Sequence, residues 1–314
     1  MRRMIRMAAV ITVTLACAST QAQDYPARSV TFLSSVSGSS GAFVRAVLDK
    51  ARENNGSPPF VFEQRLGGGG APALQALKSA PADGYTLGIT YASAMNLNPL
   101  VNKDLAIDPL RDFLPVTNLM TLGVVLNTRE DFAGKDVRDL VAMAKAKPGG
   151  IRVGVIGAGN KSWLALLQER TGAKFLDVPY KISTDAMAAV MGGQIEAYFD
   201  APSTLAGQRG KLKALVYGGV TPSLQLPGVP LMRDLYNFDL LSWFAVVAPA
   251  GTPPNAVNWM SRELARAIKD PKVREVIENG GFSALGSTPE ELAKLLRAEV
   301  EANAEIVRKY PDIR

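Results

Sequence analysis

The stretch "VTFLSSVSGSSGAFVRAVLDKAREN", residues 30–54, combines a strand, a turn and a helix. The apolar run "VTFL" leads into "SSVSGSSGAF", and from residue 43 apolar side chains recur every three or four positions, as on a helix. A strand that passes through a Gly/Ser turn into a helix N-terminus is an arrangement that holds anions on backbone N–H groups. The stretch predicts an α/β fold, and leaves open whether the turn binds a nucleotide phosphate, a substrate carboxylate or nothing.

Strands and helices alternate through most of the chain. Helices are predicted at 71–80, at 136–147 with Asp136 as N-cap, and at 183–193 beginning on Ser183. Strands are predicted at 30–34, 60–64, 85–90, 122–127, 151–156, 175–178, 196–200 and 212–217. This alternation favours a parallel or mostly parallel sheet covered by helices.

The last third has a different pattern. After an apolar strand within 241–254 come helical segments with no convincing strand, and the final helix opens with a capping box of Thr288 and Glu291 around Pro289. A helical tail without strands must pack on a sheet made earlier. We therefore expect a discontinuous first domain, with chain crossings near 117–124 and 240–247.

The N-terminus indicates export. Three arginines in "MRRMIRM" precede an apolar run at 8–18 and a small residue, Ala22, which is the pattern of a cleaved signal peptide. A lipoprotein anchored at Cys17 is the less favoured alternative. Cleavage after Ala22 would remove Arg2, Arg3 and Arg6 and no acid, lowering the formal net charge from +6 to +3. So weak a positive charge gives little support to a nucleic-acid partner.

The chain has no histidine, and Cys17 is its one cysteine, inside the predicted signal. This composition excludes Ser-His-Asp and Cys-His catalysis, disulfides and the usual zinc sites from the mature chain. We expect no metal and no cofactor. An enzyme that uses only carboxylates, or a Ser-Lys pair, stays possible on composition alone.

Several glycine or polar turns follow predicted strands. Gly157 and Gly159 precede a helix and Asp177 follows the next strand, as in a dinucleotide fingerprint, but Ser162 replaces the third glycine. We interpret this turn as a small-anion site, with a nucleotide site or a purely structural turn as alternatives. The run of glycines at 67–70 lacks the Lys-Ser/Thr of a phosphate loop, and a flexible connection explains it equally well. Further polar side chains follow two other strands: Tyr91, Ser93, Asn96, Tyr180, Lys181 and Ser183.

Six stretches stand in order along the chain: "DYPARSVTFL", "ADGYTLGI", "DPLRDFLPVT", "VPYKISTDAMAAVMGGQIEAYFD", "SWFAVVAPAGTPP" and "GSTPEELAKLLRAEV". Over residues 25–310 they resemble the solute-binding receptors of tripartite tricarboxylate transporters, the Bug receptors. The resemblance implies a two-lobed, type II-like periplasmic binding protein fold with two crossing strands between the lobes. It gives a signal peptide at 1–22, lobe 1 at 23–120 plus 245–314, and lobe 2 at 121–244.

The resemblance also implies a small carboxylate ligand, gripped by loops of both lobes. The ligand-binding residues carried over are Ser34, Ser35, Val36, Ser37, Gly38, Ser39, Ser40, Gly41, Tyr91, Ala92, Ser93, Gly157, Ala158, Gly159, Asn160, Lys161, Ser162, Trp163, Tyr180 and Asp200. Two positions depart from the family pattern. Ala42 stands where the family has Asp, which disfavours an amino-acid ligand, and Trp163 stands where it often has His. Trp163 or Tyr91 could form a wall for an apolar or aromatic ligand body, or Trp163 could pack within its lobe.

The predicted function is a periplasmic receptor, monomeric and not an enzyme, that delivers a carboxylate to the membrane subunits of such a transporter. An exported NAD-type oxidoreductase using the Gly157 turn is the first alternative. The second is a receptor that presents its ligand to a sensor protein.

Overall fold

The computed structural model describes residues 25–208, 210–220, 222–223 and 225–310. The predicted signal peptide lies outside the described residues. Within them the chain forms two separate β-sheets, each covered by helices, as the two-lobed prediction requires.

The first sheet has the strand order β11-β4-β10-β3-β1-β2 and the second β7-β6-β8-β5-β9. The strands are β1 (Val30–Ser34), β2 (Phe60–Gln64), β3 (Thr86–Tyr91), β4 (Phe113–Gly123), β5 (Val125–Arg129), β6 (Arg152–Ile156), β7 (Leu176–Tyr180), β8 (Ala197–Asp200), β9 (Leu212–Tyr217), β10 (Leu241–Pro249) and β11 (Ser283–Ala284). The helices are α1 (Gly38–Asn55), α2 (Ala71–Lys78), α3 (Ala92–Asn96), α4 (Asn98–Val101), α5 (Val137–Ala146), α6 (Gly157–Thr171), α7 (Ser183–Met191), α8 (Pro202–Ala206), α9 (Met232–Tyr236), α10 (Pro254–Ile268), α11 (Pro271–Asn279) and α12 (Pro289–Lys309).

The chain passes between the sheets at two adjacent places. β4 and β10 pair antiparallel from Phe113↔Pro249 to Gly123↔Leu241, and β5 of the second sheet begins only two residues after β4 ends. Where they separate, Val124 N–H donates to Leu240 O over 2.8 Å. The domain boundaries at 120/121 and 244/245 stay a proposal, lying close to these connections.

The expectation of mostly parallel sheets is only half right. β1, β2 and β3 are mutually parallel, as are β6, β7 and β8. In the first sheet β10 pairs antiparallel with both β3 and β4, and β11 pairs antiparallel with β4. In the second sheet β5 pairs antiparallel with β8 and β9. Two neighbouring strands can be parallel only if a long crossover connection, usually a helix, joins them. β5 follows β4 directly, without such a connection.

The helical tail packs on the first sheet, as predicted. Met260 and Leu264 of α10 and Ile277 of α11 share one buried apolar cluster with Val30 and Phe32 of β1. Between α11 and α12 the prediction of no strand is wrong, because Ser283 and Ala284 pair with β4.

Helix α12 contacts both lobes. Its predicted capping box is present: Thr288 Oγ1 accepts from Glu291 N–H, and Glu291 Oε2 accepts from Thr288 N–H. Leu292 and Leu296 pack in the first lobe, whereas Val307 packs between Leu97 and Ala165, a residue of α6 in the second lobe.

Most of the predicted elements are present with small shifts. The strands predicted at 30–34, 60–64 and 212–217 match β1, β2 and β9, and Asp136 caps α5 by accepting from Arg138 N–H over 2.8 Å. The strand at 122–127 is wrong, since one strand ends at Gly123 and another begins at Val125. Helix α7 begins at Ser183, as predicted, with Ile182 as its N-cap, and Ser183 Oγ donates to the Asp200 carboxylate.

Candidate ligand-binding site

A cavity of about 540 Å³ lies where the two lobes meet. This volume suits a small organic molecule. Its walls come from α3 and α4, from α6 of the second lobe, from the start of β10 and from one face of α12; the lining residues are Gly69, Tyr91, Ala92, Ser93, Asn96, Leu97, Asn98, Ile156, Gly157, Ala158, Gly159, Asn160, Ser162, Trp163, Leu166, Asp239, Leu241, Ser242, Leu295, Glu299, Ala302, Asn303 and Ile306.

The α6 N-terminus forms the polar wall on the second lobe. Gly157, the first residue of the helix, has a φ of +64°, a conformation that favours glycine. Asn160 Oδ1 accepts from Ile156 N–H over 3.0 Å. The N–H groups of the three residues between them have no acceptor within the helix. This first turn therefore offers backbone donors, and the positive end of a helix dipole, to the cavity.

Ser93 of the first lobe faces this helix end directly. A Cβ atom placed on Gly159 would lie 3.7 Å from Ser93 Cβ and 3.9 Å from Ser93 Oγ. The two lobes thus bring a hydroxyl and a set of backbone N–H groups together at one end of the cavity. Tyr91 adjoins them, and burial raises the pKa of its phenol, which keeps it a neutral hydrogen-bonding group.

The glycine run beside this region is a packed turn. Gly67, Gly68, Gly69 and Gly70 all have positive φ, and Gly69 O accepts from Asn98 Nδ2 over 2.6 Å. A Cβ on Gly70 would lie 2.8 Å from Ala94 Cβ. The interpretation as a flexible connection does not fit the contacts of Gly69 and Gly70, which leave no room for a side chain at these two positions.

The turn at 34–41 lies elsewhere, at the end of β1. It is shorter than the sequence indicated, because α1 already begins at Gly38. Val36 O accepts from Ser34 Oγ and from Gln64 Nε2, both over 3.1 Å. None of the residues 34–41 is among the lining residues of the cavity within the part of the chain that the structure describes. Their role in ligand binding stays a prediction.

Three other predicted site residues are also outside the cavity lining: Lys161, Tyr180 and Asp200. Asp200 is half-buried, and its carboxylate accepts from Ser183 Oγ and, over 2.7 Å, from Ala201 N–H. Both partners stand at the start of helices in the second lobe. Asp200 thus joins two helix ends there, and a ligand contact stays a prediction.

Trp163 combines the two roles considered for it. Its ring packs on Phe199 of the second-lobe core, with ring centroids 6.1 Å apart. The same side chain lines the cavity.

Ser162 occupies the position where a dinucleotide fingerprint has its third glycine. It is buried, and its Oγ donates a hydrogen bond to Gly159 O over 2.8 Å. This side chain therefore stabilises the first turn of α6.

The part of the cavity wall that α12 supplies was not predicted from the sequence. Glu299 Oε2 accepts from Trp243 Nε1 over 2.6 Å and from Asn96 Nδ2 over 2.5 Å. Asn303 Nδ2 donates to Asn96 O over 3.3 Å. Along α12, Glu299 and Asn303 lie on the same helix face as the buried Leu292, Leu296 and Val307. Polar residues on an otherwise apolar helix face were the sequence signal that could have identified this part of the wall.

The charged side chains of the cavity wall are acidic. Among the described lining residues there are two acids, Asp239 and Glu299, and no lysine or arginine. Arg233 neutralises Asp239 through a contact of 2.7 Å. Burial raises the pKa of Glu299, although its hydrogen bonds from Trp243 and Asn96 oppose that shift.

The described residues contain no group of three or more His, Cys, Asp or Glu placed to hold a metal ion. Nor do they contain a helix of the length and apolarity needed to cross a membrane.

Comparison with known proteins identifies the family. Residues 43–311 match the model of the tripartite tricarboxylate transporter family receptor. BugT of Bordetella pertussis is 30% identical, with 98% of each chain covered, and a protein from the tcbD-tcbE intergenic region of Pseudomonas sp. strain P51 is 29% identical, covering 97% of this chain and 94% of its own.

Solved structures agree with this match. A periplasmic transporter protein is 32% identical, with a TM-score of 0.76 over 91% of this chain and 98% of its own. MatC of Rhodopseudomonas palustris, solved with bound malate, is 26% identical, with a TM-score of 0.73 over 90% of this chain and 100% of its own. These matches confirm the resemblance read from the sequence and favour a receptor over an oxidoreductase. This chain belongs to the receptor family of the tripartite tricarboxylate transporters.

Proposed function

We propose that this protein is a periplasmic receptor that captures a small carboxylate between its two lobes and delivers it to the membrane subunits of a tripartite tricarboxylate transporter. It acts as a monomer. Family membership supports the receptor role, and the relative that binds malate supports a carboxylate ligand.

The observation that carries the proposal is the approach of Ser93 to the first turn of α6. Backbone N–H groups at a helix N-terminus bind anions without any cationic side chain. The cavity wall follows this pattern, since its described residues include no lysine or arginine. A ligand carboxylate at this end would contact both lobes at once and so stabilise their closed arrangement.

The remaining walls determine which ligand bodies fit. Trp163, Leu166 and Leu241 give the cavity an apolar side. We therefore expect acids with an apolar body to bind better than compact, fully hydrated ones of the same charge.

A thermal-shift screen of the purified protein against small carboxylates tests this function. A ligand at 100 times its dissociation constant should stabilise the protein by about 2.7 kcal/mol. Stabilisation by NAD and by no carboxylate would contradict the proposal.

Calorimetry on variants then tests the site. Ser93→Ala removes a hydroxyl next to the α6 N-terminus and should weaken binding of the best carboxylate about tenfold, because hydrogen bonds to charged groups are worth about 1.5–3 kcal/mol. Ser203→Ala makes the same change on the exposed surface of α8 and should leave affinity unchanged. Equal affinities of both variants and the parent protein would contradict a carboxylate position beside Ser93.

Delivery to a transporter has its own test. Deleting the gene should abolish uptake of the radiolabelled ligand into cells, and the protein should appear in the periplasmic fraction. Normal uptake without the gene would contradict the transport role.

A further inference from the structure

The cavity wall carries two kinds of polar group. Ser93 and the first turn of α6 present hydrogen-bond donors. Helix α12 contributes Glu299 and Asn303 to the same lining. A ligand in the cavity therefore meets both donors and a carboxylate.

Glu299 is held by hydrogen bonds, and no ion pair joins it to another described residue. Both of its hydrogen bonds end on Oε2, so Oε1 accepts none from the described residues. Among these residues, Glu299 also takes part in no ion pair within 4.0 Å, in contrast to Asp239. Its free oxygen and its charge are available to a ligand in the cavity.

Two buried side chains hold this carboxylate. Trp243, which donates to it, is only 1% exposed and belongs to β10 of the first sheet. Asn96, the second donor, is 6% exposed on α3. These hydrogen bonds orient the Glu299 carboxylate, and a charge that is partly buried is screened less than one in open solvent.

We propose that Glu299 is the residue that selects the ligand class: an acid with a single carboxylate and, at its far end, a hydrogen-bond donor such as an ammonium or hydroxyl group. This inference rests on the proposed function. The ligand carboxylate lies at the Ser93 and α6 end, and the donor group contacts Glu299 Oε1. A second ligand carboxylate in that place meets a like charge, which weakens binding.

This inference revises one sequence-based expectation. Ala42, in place of the family's acid, disfavoured ligands with an ammonium group. The structure supplies an acid from a different element, α12, on the wall of the cavity. A ligand ammonium group therefore has a partner that does not depend on the 34–41 turn.

Matched ligands test the inference on the unmodified protein. Each set contains an unbranched monocarboxylate, the ω-amino acid and the dicarboxylate of one chain length, such as valerate, δ-aminovalerate and glutarate, with sets from about four to seven carbons. At the best-fitting length, calorimetry should give the ω-amino acid an affinity at least about tenfold above that of the dicarboxylate.

Variants assign the selectivity to Glu299. Glu299→Gln keeps an acceptor for Trp243 and removes the charge, so the preference should fall to about threefold or less, chiefly because the dicarboxylate binds better. Glu301→Gln makes the same change at an exposed position of α12 and should preserve the preference. Circular dichroism checks that both variants are folded, and the selectivity of the parent protein remains a test if either is not.

The outcomes separate this inference from the proposed function. If the dicarboxylate binds tightest to the parent protein, or if Glu299→Gln leaves the preference intact, the role of Glu299 is overturned while the carboxylate receptor stands. If neither these sets nor the wider carboxylate screen gives a ligand, the proposed function itself fails.

Discussion

Two residues beside the cavity, Gly70 and Glu299, should not be replaceable without an effect on stability. Gly70 combines a φ of +93° with a Cβ position 2.8 Å from Ala94 Cβ, at the start of the cavity-lining segment of α3. Glu299 accepts hydrogen bonds from two donors, and burial raises its pKa. Each makes a separate prediction for stability.

Gly70→Ala should destabilise the fold by more than conformational strain alone. Gly56→Ala is the matched control, because Gly56 has a φ of +62° and an added Cβ would meet no atom within 4 Å. We expect Gly56→Ala to cost about 1 kcal/mol and Gly70→Ala roughly 2 kcal/mol more, since the added methyl must displace α3. Urea denaturation measures both, and equal losses would show that the turn has room for a side chain.

Glu299 should make stability depend on pH. Burial raises its pKa in the folded protein above the ordinary value of about 4.3. Its favourable contribution to the free energy of unfolding is fully present below that ordinary value, where Glu299 is protonated. This contribution is lost as pH rises through the folded pKa. The free energy of unfolding of Glu299→Gln should therefore rise relative to that of the parent protein as pH increases from about 4 through the folded pKa of Glu299.

Denaturation series at fixed ionic strength test this, with Glu301→Gln as the control for removing a charge from the exposed face of α12. The neighbours of Glu299 named above, Trp243 and Asn96, do not titrate in this range. A difference that stays constant with pH would contradict burial of the charged group.

Among the elements, α6 and α12 define the cavity. α6 gives the donor end through its first turn, and α12 gives the acidic wall while its last turns pack against Ala165 of α6. The N-cap at Thr288 fixes where α12 begins. The starting point of the helix in turn determines which of its side chains face the cavity.

Removing the α12 cap should weaken the protein without changing the cavity wall. Thr288→Ala loses the hydroxyl that accepts from Glu291 N–H and should lower the free energy of unfolding by about 1 kcal/mol. Thr288→Ser keeps a hydroxyl and should lose much less. If the two variants have the same urea midpoint, the capping box contributes nothing measurable.

Local signals predicted these elements well and the cavity only in part. The capping box, the Asp136 cap and three strand ranges depend on neighbours in sequence, and the structure has them. Asn96, Glu299 and Trp243 are far apart in the chain, so their meeting depends on how α12 packs across the lobes. The break between β4 and β5 at Val124 was missed because the apolar run continues across it.

In the whole molecule, two lobes meet around a cavity and are joined by paired strands. β4 and β10 stay hydrogen-bonded up to Gly123 and Leu241, where the chain enters and leaves the second lobe. Such a pair allows hinge bending, and a ligand that contacts both lobes favours the closed state. The resemblance read from the sequence indicated this plan, whereas the approach of Ser93 to Gly159 across the lobes required the assembled fold.

The most direct test of ligand capture between the lobes is hydrogen–deuterium exchange with the tightest carboxylate of the screen at saturation. We predict slower exchange, by about tenfold, in two segments from opposite lobes, 91–94 and 157–160, because their backbone N–H groups become hydrogen-bonded and enclosed. Unchanged exchange in both segments with the ligand bound, or protection confined to one lobe, would contradict this position of the site.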